Sequence, residues 1–262
     1  FKFSLLDLFS RSVRNPITLF HRARQAFHAR LPTGSMSFKY MKTFNMDEYV
    51  GLPHDYPESF YSFKWNNFFK HADTWPENTH LLDGNAADLE AECAAFEETT
   101  AGGIELFAGG AGLHAHNAFN ELGLSLESRT LVKPLAMDTT LAKAKFFKGD
   151  LSKGPPLVLT VVVATVMDPR EVMVPIMGTQ KAPALYMANE EGINHMWTVS
   201  ALQKHSHMVF VCEEDATLEL KGKTVKCFKG LMHVHNKPVE PLYSMKEKET
   251  DKSQSSKKPY SD

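Results

Sequence analysis

From Phe38 onward, short and mostly apolar runs alternate with longer, charge-patterned stretches. This alternation is typical of βα units around a mostly parallel sheet, because such strands are buried on both faces while the helices keep one solvated face. The predicted strands are Ile104–Ala108, Leu157–Val163 and Met208–Cys212, and the predicted helices are Asp88–Glu97 and Gln180–Glu191, the second closed by Gly192. We therefore expect an α/β fold, an open and mostly parallel sheet flanked by helices in one domain.

Length, charge and cysteine usage narrow the class of protein. The 262 residues suffice for one large domain, and a formal net charge of -2 gives no electrostatic reason to expect nucleic acid or an anionic membrane as partner. Cys93, Cys212 and Cys227 are far apart without a Cys-x-x-Cys pair, which argues against a disulfide framework. No apolar run is long enough to span a bilayer, and the opening residues are too short an apolar run for a signal peptide. We expect a cytoplasmic protein.

Ligands of an open parallel sheet bind beyond the carboxyl ends of its strands, so the loops there are the candidate sites. One is the turn Thr33-Gly34-Ser35, whose N–H groups and hydroxyls can cradle a phosphate, although the same residues also form ordinary turns. Another loop contains the adjacent acids Asp47 and Glu48. Taken alone, these acids are typical of a solvated helix start.

The densest cluster of chemically active residues follows the strand Ile104–Ala108 and contains His114, His116 and Glu121. One interpretation is acid–base chemistry, with His116 moving protons near neutral pH and Glu121 orienting it. A second is a metal site, since His114/His116, His205/His207 and His233/His235 are all His-x-His pairs. The third is that these histidines are structural.

Several motifs together resemble those of one enzyme family. The run Thr43-Phe44-Asn45-Met46-Asp47-Glu48-Tyr49-Val50-Gly51-Leu52-Pro53, with Pro57-Glu58-Ser59, is similar to the signature of the glucosamine-6-phosphate deaminases. The other matching motifs are Trp65–Phe69, Leu82–Ala86, Ala118–Glu121, Ser128–Thr130, Val172–Met173, Asn194–Thr198 and Ser253–Lys258. The resemblance implies an isomerase-like α/β domain over 31–245, after a poorly matching segment over 1–30. The tail over 246–262 is rich in Lys, Glu and Ser, which predicts disorder.

The resemblance also implies a reaction, in which glucosamine 6-phosphate is converted into fructose 6-phosphate and ammonia without a metal or redox cofactor. It assigns Asp47 as the base that moves a proton from C2 to C1 of the open-chain sugar. It assigns ring opening to His116, backed by Glu121 and by an aspartate two residues before the histidine. The substrate phosphate is assigned to Lys181 and to the turn at Thr33, Gly34 and Ser35.

This sequence departs from the family pattern at the catalytic histidine and at the phosphate. His114 replaces the aspartate that supports His116, which removes the carboxylate expected to fix the imidazole tautomer. Ala115 replaces a glycine, which matters if that position needs a positive φ. Lys145 replaces a phosphate-binding arginine and cannot reproduce its bidentate contact. The sequence continues from Ser35 directly into Met36-Ser37-Phe38, without the helix that the family has at this position.

Further departures affect regulation and the core. In the family's allosteric site for an N-acetylated sugar phosphate, Ser125 and Lys133 remain, whereas Leu124 and Leu131 replace a serine and an arginine. Val162 and Ala164 replace glycines, and Pro175 interrupts an apolar run.

Two functions from different classes follow from these observations. The leading hypothesis is a glucosamine-6-phosphate deaminase, hexameric by resemblance, that acts on a small sugar phosphate with impaired activity. The alternative is an inactive homologue that keeps the fold for binding or has no function.

Overall fold

The structure is a computed structural model that describes residues 2–4, 37–101, 103–113, 115–116, 118–120, 123–135 and 154–231. The chain divides into two units, Phe1–Glu219 and Leu220–Asp262, and the described part of the second contains a helix over 222–231. No helix within these described ranges combines the length and apolar character needed to cross a lipid bilayer. The predicted boundaries after residues 30 and 245 stay predictions.

Nine strands among the described residues form two sheets in the first unit. In chain order they are β1 (Lys2–Ser4), β2 (Lys42–Phe44), β3 (Asp47–Tyr49), β4 (Thr79–His80), β5 (Leu106–Ala108), β6 (Leu131–Pro134), β7 (Leu157–Thr160), β8 (Glu171–Ile176) and β9 (Met208–Cys212). The larger sheet has the order β4-β2-β1-β5-β8-β9, and all of its pairs are parallel. The expected open, mostly parallel sheet is therefore confirmed, and β9 has the bounds that the sequence predicts. β5 is shorter than predicted because pairing with β8 begins at Leu106.

The smaller sheet is antiparallel and has the order β3-β7-β6. Here the predicted strand Leu157–Val163 is wrong at its carboxyl end, because β7 ends at Thr160 and a helix begins at Val163. β-Branched residues favour a strand locally, but burial at this turn from strand to helix overrides that preference. Val162, which stands where the family resemblance expects glycine, is fully buried at the turn.

Four α-helices of the first unit lie within the described residues: α1 (Phe60–Asn67), α2 (Leu89–Thr100), α3 (Val163–Met167) and α4 (Ala182–Asn189). Asp88 caps α2 by accepting hydrogen bonds from the N–H groups of Glu90 and Ala91, so it precedes the helix instead of lying in its first turn. The predicted helix Gln180–Glu191 is shorter, because Thr179–Lys181 form a 3₁₀ turn and α4 ends at Asn189. Pro183 lies in the first turn of α4, where no N–H is needed.

An aromatic cluster packs α1 against the smaller sheet. The cluster consists of four buried residues: Tyr49 on β3, Phe60 on α1, Val158 on β7 and Phe119 in the segment after His116. The rings of Tyr49 and Phe60 have centroids 5.0 Å apart, and Phe119 meets each of them edge-on at 6.1 Å. This packing fixes β3 from one side, next to the residue that the resemblance assigns as the base.

Candidate active site

The candidate site lies where the loops after β2, β5 and β8 begin. These strands belong to the parallel sheet, in which β5 and β8 are direct neighbours and β1 separates β5 from β2. The three loops lead to Asp47, His116 and Lys181 respectively. Because parallel strands end at one edge of the sheet, the fold directs all three segments to the same edge.

Asp47 is the first residue of β3 and is only 3% exposed. Its Oδ1 accepts a hydrogen bond of 2.5 Å from the hydroxyl of Thr160, its register partner on β7. The side-chain amide of Asn45 donates to its backbone carbonyl at 2.7 Å. The expectation of solvated acids at a helix start is therefore wrong, because β3 pairs with β7 in the interior. A buried carboxylate held in this way has the fixed orientation that a general base requires.

Glu48, also buried, joins β3 to the first turn of α1. Its Oε1 accepts the N–H groups of Tyr49 at 2.8 Å and Phe60 at 3.0 Å, and its Oε2 accepts that of Tyr61 at 2.7 Å. The first N–H groups of a helix have no partner within it, so Glu48 supplies the missing acceptors. Burial raises the pKa of Glu48 above its ordinary value, although the three N–H groups act in the opposite direction.

The loop after β5 folds back tightly around His116. Gly109 donates its N–H to the Met173 carbonyl of β8 at 3.1 Å, and Gly112 donates its N–H to the His116 carbonyl at 2.6 Å. A Cβ added at Gly112 would lie 2.2 Å from Nε2 of His116. Only glycine therefore allows the partly buried imidazole to lie against the backbone at this point.

Ala115, next to His116, has a left-handed backbone conformation with φ of 50° and is 1% exposed. Its carbonyl accepts the N–H of Val199 at 3.0 Å, and its own N–H donates to Gly112 at 3.2 Å. The sequence predicts that replacing the family's glycine at this position matters if its backbone has a positive φ, and Ala115 does have one. An alanine in this conformation is strained, because its Cβ crowds the following carbonyl.

The segment after His116 is anchored to β7 and to the 3₁₀ helix Thr198–Lys204. Phe119 donates its N–H to the Thr160 hydroxyl at 3.3 Å, and the Asn120 side chain donates to the Val161 carbonyl at 3.1 Å. The hydroxyl of Thr198 donates to the Asn120 carbonyl at 2.9 Å. The histidine loop is thus tied to the same threonine that holds Asp47.

Lys181 reaches the histidine loop from the loop after β8. Its Nζ donates a hydrogen bond of 2.7 Å to the carbonyl of Ala111. Burial lowers the pKa of Lys181 to about 8, because the charged ammonium loses water. The turn before it is fixed by Glu213, which accepts the N–H of Gly178 at 2.5 Å.

The two residues of the expected allosteric site have separate surroundings. Ser125 is exposed, and its hydroxyl accepts the N–H of Glu127 at 3.3 Å within a turn. Lys133 lies on β6, and its Nζ donates to the Phe119 carbonyl at 3.4 Å. It is Lys133 that the structure connects to the histidine segment.

Other predicted site residues lie outside the described residues. These are Thr33, Gly34 and Ser35 of the phosphate turn, His114 and Glu121 beside the histidine, and Lys145. Their assignments stay predictions.

Within the described part of the chain, no group of three or more His, Cys, Asp or Glu side chains could hold a metal ion. The metal interpretation therefore gains no support from these residues. A ring nitrogen of His205, Nε2, lies 2.8 Å from the Pro169 carbonyl, and its Nδ1 accepts the N–H of His207 at 3.1 Å. His207 lies beside Ser206, with its Nδ1 3.0 Å from the hydroxyl. These contacts fit structural histidines.

Comparison with known proteins decides the family. No protein-family model matches the chain. Glucosamine-6-phosphate deaminase 1 of Bos taurus and that of Homo sapiens are each 72% identical over 231 residues, which cover 87% of this chain and 80% of each relative. The chain belongs to the glucosamine-6-phosphate deaminase family. The family resemblance that the motifs indicate is thereby confirmed.

A solved structure of the same family has the same fold. It is described as a monomeric glucosamine-6-phosphate deaminase of the NagB superfamily, and it is 30% identical to this chain with a TM-score of 0.72. The match covers 78% of this chain and 85% of that one. The α/β architecture of this deaminase-family chain is therefore shared with a solved member.

Two residues next to the site were missed by the sequence-based predictions, Thr160 and Glu48 in its anchoring role. Thr160 is the one polar residue in the apolar run Leu157–Val163, and a polar residue in such a run is a signal that it has a buried partner. Glu48 gives no comparable signal, because an acid beside Asp47 also fits a solvated surface.

Proposed function

We propose that this member of the family converts glucosamine 6-phosphate into fructose 6-phosphate and ammonia, as a step of amino-sugar catabolism. The observation that carries the proposal is the buried Asp47 carboxylate, oriented by the Thr160 hydroxyl at the edge of the sheet to which the His116 and Lys181 loops also lead. High identity to relatives named for this activity supports it.

Asp47 acts as the base in the proposed reaction. It takes the proton from C2 of the open-chain sugar, and the electron pair of the broken C–H bond forms an enediol-like intermediate. The proton then returns to C1, which leaves an imine at C2. Water adds to that imine and ammonia leaves, giving the ketose. One carboxylate serves both transfers because it is held in one place between C2 and C1.

Lys181 binds the phosphate of the substrate in this proposal. Its ammonium is partly desolvated and already turned toward the loop that contains His116. A phosphate dianion favours the charged form of such a lysine, so binding of the substrate restores the charge that burial weakens.

Ring opening and phosphate capture are the steps that we expect to limit turnover. His114 leaves His116 without the carboxylate of the family motif, and Lys145 offers a point charge where the family has a planar guanidinium. The strained φ of Ala115 adds a cost in the same loop. These features favour a second candidate function, an inactive homologue that keeps the fold for binding or has no function.

Ammonia release from glucosamine 6-phosphate separates the two candidates. The parent chain is compared with Asp47→Asn, which removes the base, and with Asp55→Asn, a matched change at an exposed acid in the loop after β3. We expect release by the chain and by Asp55→Asn, well above that of Asp47→Asn. Equal release by all three proteins sinks the deaminase proposal and leaves the binding homologue, which a calorimetric titration with the same sugar phosphate then tests.

Restored residues test the account of the limiting steps. We expect His114→Asp to raise kcat and Lys145→Arg to lower KM, because the first acts on ring opening and the second on phosphate capture. If neither variant exceeds the parent in kcat/KM, this account is wrong.

A cytoplasmic location and a hexameric state are also proposed. The location rests on the separate cysteines and on the lack of a long apolar run in the sequence, and the hexamer rests on the family resemblance alone. The solved relative is described as monomeric, so the family contains more than one state. Sedimentation equilibrium distinguishes a hexamer, of six times 29.4 kDa, from a single chain of that mass.

A further inference from the structure

The Thr160 hydroxyl is placed between two parts of the candidate active site. It donates to Oδ1 of Asp47 at 2.5 Å and accepts the N–H of Phe119 at 3.3 Å. Thr160 itself is fully buried, and so are its strand neighbours Val158 and Leu159. One side chain thus connects the base to the segment that follows His116.

The chemistry of the hydroxyl fixes its direction. It has a single hydrogen to donate and two lone pairs to accept with. The Val161 carbonyl, at 3.2 Å, is a second acceptor within reach, but Oδ1 of Asp47 is closer at 2.5 Å. In the ionised form that the proposed base requires, a carboxylate also accepts about twice as strongly as a neutral group, so the hydrogen points to Asp47.

The backbone makes this arrangement rigid. Asp47 and Thr160 are register partners in the antiparallel pair of β3 and β7, and the Val161 N–H donates to the Met46 carbonyl at 2.8 Å just beyond it. Directly paired residues of such strands place their side chains on the same face. Rotation of the Asp47 carboxylate is therefore restrained by a side chain whose own position the sheet determines.

We propose that Thr160 is a positioning residue for the reaction, which holds the Asp47 carboxylate in its productive orientation and couples it to the histidine loop through Phe119. This role rests on the proposed function of Asp47 as the base. Thr160 acts only through Asp47 and the loop, so the substrate is not its partner.

The positioning role predicts a specific change when the hydroxyl is removed. Thr160→Val keeps the shape and the strand preference but cannot donate. Without the donor, the ionised carboxylate is less favoured, so the acid limb of the kcat profile moves to higher pH by about one unit. We expect kcat near neutral pH to fall about tenfold and KM to stay within about twofold, because the substrate contacts are unchanged. Thr160→Ser restores the donor and should return both properties toward those of the parent.

Titratable groups in the segments packed around Asp47 include Glu48 and Tyr49 on the same strand, the buried Lys64 on α1, Lys133 on β6 and His116 in the loop. The Thr160 variants change none of these groups. A shift of the acid limb in Thr160→Val that Thr160→Ser reverses is therefore assigned to the hydroxyl.

The chain contains a matched control at Thr165. Its hydroxyl also donates to a carboxylate at 2.5 Å, that of Glu97, and it is buried outside the candidate site. Thr165→Val removes the same kind of bond, so we expect it to lower the urea midpoint without moving the acid limb. If the Thr160 hydroxyl had only a structural role, Thr160→Val would also lower the urea midpoint without moving the acid limb.

The outcomes separate this inference from the proposed function. If the parent chain releases no more ammonia than Asp47→Asn, both are overturned. If the parent is active and Thr160→Val has an unchanged acid limb and kcat, only the positioning role is overturned. Should Thr160→Val fail to fold, Thr160→Cys replaces it, because a thiol takes the place of the hydroxyl but donates only weakly. The acid limb of Thr160→Cys must then lie at higher pH than that of Thr160→Ser, and acid limbs at the same pH reject the proposal.

Discussion

The Lys181 ammonium donates a hydrogen bond of 2.7 Å to the carbonyl oxygen of Ala111, which joins the loop after β8 to the loop after β5. A carbonyl is a weak partner for an ammonium that has lost much of its water, and burial accordingly lowers the pKa of Lys181 to about 8. The charge that Lys181 would offer to the substrate phosphate in the proposed function is therefore present below this pH and lost above it.

The first prediction concerns the pH dependence of substrate binding. Above about pH 8, binding of a phosphate dianion to Lys181 requires uptake of a proton, so KM should rise toward tenfold per pH unit. Lys181→Arg keeps its charge throughout, and its KM should stay flat over the same range. Initial rates at a series of pH values measure this.

Lys204→Arg is the control for that experiment, since Lys204 is an exposed lysine on the 3₁₀ helix Thr198–Lys204. Its KM should follow the parent. A parent KM that stays flat above pH 8, or one that rises equally in Lys181→Arg, would show that another group controls phosphate binding.

The second prediction concerns Glu48, which holds the first turn of α1 through three backbone N–H groups. Glu48→Gln keeps one acceptor oxygen but turns an amide N–H₂ toward a backbone donor. We expect it to lower the free energy of unfolding by about 2 kcal/mol. Urea unfolding measures the change, and Glu98→Gln, an exposed acid of α2, should cost less than about 0.5 kcal/mol.

The effect of Glu48→Gln should shrink as the pH rises. Burial raises the pKa of Glu48 in the folded chain above the ordinary 4.5, so the folded state favours its protonated form. The parent therefore loses stability relative to the variant as the pH rises from 4.5 through the raised pKa that Glu48 has in the folded state. A difference between parent and variant that grows with pH over this window would contradict the assignment.

Two strands of the larger sheet, β5 and β9, are predictable from the sequence because each coincides with an apolar run. Met208–Cys212 is a continuous apolar run between polar segments, and the structure gives it the same bounds. The run Leu157–Val163 has the same signal, but its last residues leave the strand at a buried turn. Local β-branched content does not reveal where a buried strand turns into a helix.

The contacts that orient the candidate site were not accessible in this way. Thr160 and Asp47 are 113 residues apart, and Glu48 meets its partner Phe60 across 12 residues. Each pair joins two different elements, and the periods of helices and strands describe contacts within one element, so no sequence pattern predicts the pairing. Sequence motifs identified Asp47 as a candidate, whereas its burial and its partner required the assembled sheets.

The third prediction concerns Glu97 on α2, which is also an acid with several partners but has the opposite pH response. It accepts the N–H and hydroxyl of Thr130, the hydroxyl of Thr165 and the guanidinium of Arg129. Burial alone would raise the pKa of Glu97, but these donors outweigh it and hold the pKa below the ordinary value. We expect Glu97→Gln to lower the free energy of unfolding by about 2 to 3 kcal/mol at neutral pH.

The cost of Glu97→Gln should be largest at neutral pH and shrink in acid. A folded pKa below the ordinary 4.5 gives stability that is present above that pH and lost as the pH falls through the folded value. The exposed Glu98→Gln again serves as the control. Both variants should be less stable than the parent, but the loss for the Glu48 variant should shrink as the pH rises and the loss for the Glu97 variant should shrink as the pH falls. Urea midpoints measured across one pH series check this, and losses that change in the same direction would refute at least one assignment.

The fourth prediction concerns the strained alanine beside His116. Ala115→Gly relieves a left-handed conformation that costs an alanine about 1 to 2 kcal/mol, but it also removes a buried methyl group and loosens the unfolded chain. These effects nearly cancel, so we expect a change within about 0.5 kcal/mol. Ala188→Gly, at a fully buried alanine inside α4 with an ordinary φ, should instead cost about 2 kcal/mol, because it loses helix preference as well as the methyl.

Ala115→Val extends that comparison in the other direction. A β-branched side chain fits a positive φ least well, and the site is 1% exposed, so overpacking adds to the strain. We expect a loss of more than about 2 kcal/mol in the urea unfolding free energy. A valine tolerated as well as glycine would mean that residue 115 does not keep φ of 50° in solution. The expected order, glycine near the parent and valine far below it, follows only from a left-handed backbone at the residue that precedes His116.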